Sequence, residues 1–410
     1  MTVATAPLGA IAEFRNGINF VVGDSGATVK VVGVADFRDR TSLSSFSDLA
    51  SVALSGSLSA DDELRDRDLL LVRSNGSKEL IGRSLIVKRP PPGVTFSGFT
   101  IRARVNPSLA SAEFLALVLQ TDAIRNHLLL AGGGNGNIAN LSQGLLRQLR
   151  VPLPPLDTQC AITRIVSEWD AAVEKTKRLI AAKLQRFSGL IDRLVFRRSR
   201  VDAAFRLEPL DRIAERVQRQ TDGGTFPLLT ISSAAGFVRQ DDKYSRYMAG
   251  ESAKTYTLLR RGEFAYNKGN SLRYEFGCVF PLLDYDAALV PSVYVSFRLR
   301  EGVNAAYLQH VFAADYLKPQ LRALVKTGVR NNGLLNIRPD EFMGTSVPLP
   351  PIAAQQQIAV VLDEAREEIR LLGLKLEALR IQKRGLMQKL LTGQWRLPSQ
   401  ASPIEESSSC

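Results

Sequence analysis

Histidine and cysteine are scarce in this chain, with two histidines and three cysteines in 410 residues. Cys160, Cys278 and Cys410 are far apart and odd in number, so neither a disulfide framework nor a zinc cluster is expected. His127 and His310 both fall in helix-like patterns and read as partly buried helix residues, which leaves histidine acid–base chemistry little to work with. No Gly-Lys-Ser/Thr occurs, so "GGGNGN" at 132–137 is not a Walker-type phosphate loop and reads as a flexible turn. The Asn/Asp-Pro-Pro-Tyr/Phe motif of adenine methylation is missing, as is a glycine-rich cofactor loop after a strand. A lone Pro-Asp-Glu at 339–341 is too weak to define a nuclease. No apolar run approaches the roughly 18–20 residues of a membrane span. The opening "MTVATAPLGAIAEF" lacks the charged start and apolar core of a signal peptide. These absences point to a cytoplasmic chain with no membrane association and no metal site, and they make an enzyme the weakest of the readings.

What is present is the composition of a soluble globular protein, 45% hydrophobic and 23% charged, at a length that suits two or three domains. The net charge of +12 is spread along the chain: +3 over residues 1–150, +4 over 151–198, +4 over 199–346 and +1 over 347–410. A distributed positive field suits a long polyanion better than a single phosphate.

The chain also repeats itself. "VPLPPLDTQCAI" begins at Val151 and "VPLPPIAAQQQI" at Val347, an interval of 196 residues. Adjacent prolines make each phrase stiff and extended. Each phrase then enters a long helical pattern. In the first, Ile162, Val166, Trp169, Val173, Thr176, Ile180, Lys183, Phe187, Leu190 and Leu194 recur at steps of four and three. In the second, Ile358, Leu362, Ala365, Ile369, Leu372, Leu376, Leu379, Lys383, Leu386 and Leu390 do the same, each 196 residues on. Such steps keep one seam on one side of a helix and define a coiled-coil heptad. A polar-faced rod of this kind needs a partner to cover its seam, and the other copy is the obvious one. Lys183 and Lys383 read as imperfections whose stems lie along the groove while their charges reach water.

The regions before the rods correspond too. "PLGAIAEF" echoes "PLDRIAER", and "LRDRDLLLVRSNGSKELIG" (64–82) matches "LRRGEFAYNKGNSLRYEFG" (259–277). "SAEFLALVLQTDAIRNHL" and "NAAYLQHVFAADYLKPQL" both read as amphipathic helices. The expected fold class is therefore α+β with an internal pseudo-two-fold repeat. Two similar mixed α/β domains, 1–150 and 199–346, alternate with two proline-led spacer helices, 151–198 and 347–394. The helices are expected to pair as an antiparallel coiled coil, and 395–410 reads as a disordered tail.

At this point the chain resembles the specificity subunit of a type I restriction–modification system over nearly its whole length. The carriers are "PLPPLDTQCAI", "PLPPIAAQQQIAVVLDEA" and the closing "KRGLMQKLLTGQWRL"; the first rod ends in a drifted version, "FSGLIDRLVFRRSRV". The resemblance implies two target-recognition domains that each read one part of a split sequence in double-stranded DNA. It further implies helices that dock two adenine methyltransferase subunits, a separate ATP-dependent translocating nuclease subunit, and no catalysis in this chain. The complex would use S-adenosylmethionine, ATP and Mg through the other subunits, with no cofactor bound here.

Base edges are read best by Arg, Lys, Asn and Gln, and phosphates by basic side chains and glycine-loop amides. In the first domain the candidates are Arg73, Ser74, Asn75, Ser77, Lys78 and Arg83. In the second, the equivalent loop offers Asn267, Lys268, Asn270 and Arg273, with Tyr266 and Tyr274 beside them. A basic, aromatic cluster adds Arg239, Lys243, Tyr244 and Arg246, and "KTGVRNNG" adds Lys326 and Arg330 as phosphate contacts. The rival reading from another class is a non-catalytic protein–protein scaffold carrying two binding modules on a helical spacer.

Overall fold

The computed structural model describes residues 4–19, 28–38, 40–54, 57–132, 139–221, 223–243, 255–269, 271–325, 334–395 and 397. Two compact units divide the chain: Met1–Thr176 with Lys375–Cys410, and Lys177–Leu374. Each unit holds one mixed α/β domain together with part of each of two long helices.

In the first unit the proline phrase begins as a strand. Arg150–Pro152 pairs antiparallel with Thr5–Pro7 in a two-stranded ribbon, where missing proline N–H groups cost no central ladder bond. The main sheet has five strands in the order Ala12–Asn16, Thr100–Val105, Leu69–Val72, Ser84–Val87, Ser42–Leu43. Every residue of Leu69–Val72 and of Ser84–Val87 is buried, which is why these segments read as continuous apolar runs rather than alternations. Ala50–Ala53, Thr28–Val32 and Val94–Phe96 form a smaller sheet.

The second unit repeats this plan. Arg206–Pro209 pairs with Ser346–Leu349, which carries the second proline phrase. A four-stranded antiparallel sheet runs Ala214–Arg216, Val295–Leu299, Phe264–Asn267, Cys278–Pro281, the order of the first four strands in the other unit. The turn entering the third strand of each sheet is built alike. Asp68 accepts a hydrogen bond from the Arg65 amide at 2.7 Å, and Glu263 accepts one from the Arg260 amide at 2.8 Å. Each acid also binds an arginine: Arg104 grips Asp68 with two bonds of 2.8 and 2.7 Å, and Arg219 reaches Glu263 at 2.9 Å. The glycine before the fourth strand has φ of +72° at Gly82 and +87° at Gly277, a left-handed backbone that other residues adopt at a cost. A methyl group on Gly277 would lie 2.5 Å from the Asn267 carbonyl, so the position has room for no side chain.

The first long helix is Leu156–Ile191, 36 residues, and continues through a π turn, Asp192–Arg197, into Arg198–Val201. The second is Ile352–Leu391, 40 residues. Every position of both 4-3 seams is buried or half-buried, whereas between residues 363 and 382 every residue off the seam is exposed. In the first unit, Ile162 and Val166 share a core with Leu386, Met387, Leu390 and Leu391, and Lys383 donates to Asp170 at 2.5 Å. In the second, Phe187, Leu190, Ile191 and Val195 share a core with Ile358, Ala359 and Leu362, and Lys183 meets Glu368 at 2.5 Å. Within each unit the two helical segments therefore run antiparallel. The two seam lysines reach carboxylates on the opposite helix rather than water alone. Such exposed pairs add little stability, roughly 0–1 kcal/mol each, but they favour one register. At the π turn, Val195 is fully buried while Leu194 is half-buried, because one extra residue in the turn rotates the seam.

Both amphipathic stretches that read as single helices are broken. The first is Ala112–Leu119 followed by Asp122–Gly132, the second Ala305–Ala313 followed by Lys318–Leu324. In the second, Asp315 takes a left-handed φ of +56° at the break. His310 is buried, as a helix residue, and bonds Asp363 at 2.8 Å, whereas His127 is exposed. Burial lowers the proton affinity of His310 more than Asp363 raises it. Among the described residues no helix is long and apolar enough to cross a membrane. The tail beyond residue 397, and most of "GGGNGN", lie outside the described residues.

Candidate nucleic-acid interface

The matched loops follow the third strand of each sheet. In the first unit the chain leaves Leu69–Val72 at Arg73, whose amide donates to the Phe99 carbonyl at 2.8 Å and whose carbonyl accepts from the Leu141 amide at 2.8 Å. Ser74–Asn75 then pairs antiparallel with Ala139–Asn140. The Asn75 side chain accepts from the Ser77 amide at 2.8 Å, the local turn that asparagine favours. In the second unit Asn267 accepts from the Gly269 amide at 3.0 Å, the Lys268 carbonyl accepts from the Leu335 amide at 3.0 Å, and Gly269 bridges Leu334. In both domains, then, the polar loop is pinned by the segment returning toward the proline phrase.

The candidate residues sort by exposure. Ser77, Lys78 and Arg273 are exposed, and Arg273 lies 5.3 Å from the ring centre of Tyr274. Arg73, Ser74, Asn75, Arg83, Asn267 and Lys268 are half-buried. Arg73 donates to the Gly98 carbonyl at 3.4 Å and Arg83 to the Arg38 carbonyl, so both guanidinium groups also hold the loop's scaffold. Arg239 is exposed and pairs with Asp241 at 3.4 Å. Lys243 ends the short helix Gln240–Lys243. Tyr244, Arg246, Asn270, Lys326 and Arg330 lie outside the described residues. Tyr266 is a core residue rather than a rim residue: its ring stacks on Phe342 at 4.1 Å, its hydroxyl donates to the Phe276 carbonyl, and burial raises its pKa. Tyr274 is 3% exposed and likewise faces inward.

Residue type alone missed a concave surface beside the first loop. A cavity of about 730 Å³ is lined by Arg38, Arg40, Ser74, Asn75, Gly76 and Phe99, among others. Phe99 is 61% exposed, an aromatic face at the edge of a basic and polar wall. Asp36 and Asp48 also line it, so its charge is mixed. Nothing in "FSGFT" distinguishes exposed Phe99 from fully buried Phe96, because their environments are set by strands distant in sequence. Several arginines among the described residues pair with acids: Arg15 with Asp62, Arg104 with Asp68, Arg219 with Glu263. At the loop rims, Lys78 and Arg273 are exposed basic groups, and the wall adds Arg38 and Arg40.

No protein-family model matches the chain. It shares a fold with the HsdS subunit from Thermoanaerobacter tengcongensis, on which it superposes with a TM-score of 0.52, covering 96% of this chain and 97% of that one at 16% identity. In sequence it is 26% identical over 214 residues to the StySPI type I restriction enzyme specificity subunit of Salmonella potsdam. That match covers 50% of this chain and 45% of the relative, so it spans about half of the relative's length. It is 24% identical over 324 residues to the EcoKI specificity subunit of Escherichia coli, covering 72% of this chain and 67% of that one. The curated homologues are type I restriction enzyme specificity subunits, and the likeness covers most of the chain.

Proposed function

We propose that this chain is the DNA-reading specificity subunit of a type I restriction–modification complex, each domain recognising one part of a split target in double-stranded DNA. The observation that carries the reading is the repeat itself. Two domains of the same strand order, each with a pinned polar loop, follow one another on two long helices of matched register. The backbone of duplex DNA has two-fold symmetry, so a protein with an internal repeat can meet it twice in an equivalent way. Because the loops differ in sequence, the two half-sites need not be palindromic.

The spacer helices act as a ruler. A 36-residue helix is about 54 Å long at about 1.5 Å per residue, more than the roughly 34–36 Å of one DNA turn. That length suits two short readable blocks with an unread gap. The complex would recruit two adenine methyltransferase subunits and an ATP-dependent nuclease, with S-adenosylmethionine, ATP and Mg held by those subunits. The net charge of +12 favours the approach to a polyanion and makes binding salt-dependent.

Co-expression with the neighbouring methyltransferase, followed by mapping of modified adenines across the host genome, tests the proposal. A split motif with a fixed gap is expected. An assembled complex that modifies no adenine, or a continuous unsplit motif, would overturn it.

A further inference from the structure

One side chain in each unit joins three elements at once. Gln159, in the first turn of the first long helix, is fully buried. Its Oε1 accepts from the Ser111 amide at 2.9 Å, and its Nε2 donates to the Pro154 carbonyl at 2.8 Å. Ser111 is the N-cap of Ala112–Leu119, its hydroxyl accepting from the Phe114 amide at 3.3 Å, and Phe114 is fully buried in the domain core. In the second unit Gln355 is 1% exposed. Its Oε1 accepts from the Asn304 amide at 2.8 Å, and its Nε2 donates to the Pro350 carbonyl at 2.8 Å. Asn304 caps Ala305–Ala313 by accepting from the Tyr307 amide at 2.9 Å, and the Tyr307 hydroxyl donates to the Pro348 carbonyl at 2.9 Å. The two glutamines stand 196 residues apart, the interval of the repeat.

The chemistry explains why an amide is needed. A proline-rich segment has few N–H groups, so its buried carbonyls must find donors elsewhere. The helix N-cap amide, conversely, needs an acceptor. Glutamine is neutral and offers both on one planar group, whereas glutamate offers only acceptors at neutral pH and would oppose the proline carbonyl. A leucine of similar reach would leave both backbone groups buried and unpaired.

We propose that Gln159 and Gln355 are positioning residues that fix the angle at which each domain is held on its long helix, and so set the gap length of the DNA target. The proline phrase is thereby a clamped joint rather than a free hinge. The inference rests on the DNA-reading function proposed above. One base pair of gap displaces a half-site by about 3.4 Å and rotates it by about 35°, so a domain held at a fixed angle tolerates one gap length.

The test uses the full chain assembled with its methyltransferase partner and oligonucleotides carrying the mapped target with the gap unchanged, one base pair longer or one shorter. The wild type is expected to favour its own gap by about tenfold or more, the scale of a mismatched base pair. Gln159→Leu and Gln355→Leu are each expected to bring the three gaps within about threefold, on the same scale, while discrimination among bases within each half-site is retained. If circular dichroism shows that a leucine variant does not fold, the isosteric Gln159→Glu and Gln355→Glu, which keep the acceptor for the N-cap amide, are read in the same assay. A folded variant that keeps the sharp gap preference, or that loses all three gaps equally, would overturn the clamp. A wild type without any gap preference would instead remove the DNA-reading proposal on which the clamp rests.

Discussion

Asp315 stands at the break between Ala305–Ala313 and Lys318–Leu324 with φ of +56°, and burial pushes its pKa from 3.8 up to about 6, against a smaller opposing pull from Lys318. The folded chain therefore holds a proton that the unfolded chain has released between about pH 4 and pH 6. Stability falls as pH rises through that window, and the penalty is complete above it. Asparagine tolerates a left-handed backbone and carries no charge. Asp315→Asn is accordingly expected to raise the thermal midpoint at pH 8 and to give no gain at pH 4; equal shifts at both would contradict the assignment. At this scale the sequence was legible wherever a residue's role is local. Asn75 and Asn267 in polar turns and Gly82 and Gly277 before a strand all act within a few positions. It was not legible where a distant partner decides. Tyr266 looks like a rim residue beside Asn267, yet Phe342, 76 positions away, stacks on it in the core. Gln159 and Gln355 carry no sign of the amides they hold, 48 and 51 positions back in the chain.

The long helices were the most readable elements because a heptad seam is a short-range pattern repeated many times. Their partner choice came from register: a seam needs cover, and the copy of matched length supplies it. What the pattern did not contain was the cross-helix pairing of Lys183 with Glu368 and of Lys383 with Asp170, nor the π turn that moves Val195 into the core. The broken helices were also hidden, since a run of apolar residues at helical spacing continues through Asp315 even though the backbone does not. Four residues inserted after Leu376 would lengthen the second helix by about 6 Å and rotate its seam about 40° past a full turn. Lys383 would then miss Asp170 and Leu390 would leave the core it shares with Ile162 and Val166. The insertion is expected to alter the tolerated gap in the DNA target or to abolish assembly with the methyltransferase, read by native mass spectrometry and adenine mapping. Unaltered gap and assembly together would contradict the ruler.

At the scale of the whole molecule, two domains of one plan share strand order, turn chemistry and a buried glutamine bridge while their loops diverge. The common plan was visible in punctuation: the proline phrases, the polar loops and the glycine before the fourth strand lie at nearly constant intervals. The exposed wall beside the first loop was not visible, because Arg38, Arg40, Asn75 and Phe99 come from separate segments that only the fold brings together. The common plan also makes the domains exchangeable. Pro7 and Pro209 stand in equivalent strands, as do Val151 and Val347, so residues 7–150 can replace residues 209–346 with both ribbon pairings retained. The measurement that bears most directly on the account is the adenine-modification motif of that chimera, co-expressed with the same methyltransferase. An inverted repeat of the first half-site is expected, separated by a fixed gap. An asymmetric motif identical to that of the native chain, or loss of modification by a chimera that still folds and assembles, would contradict it.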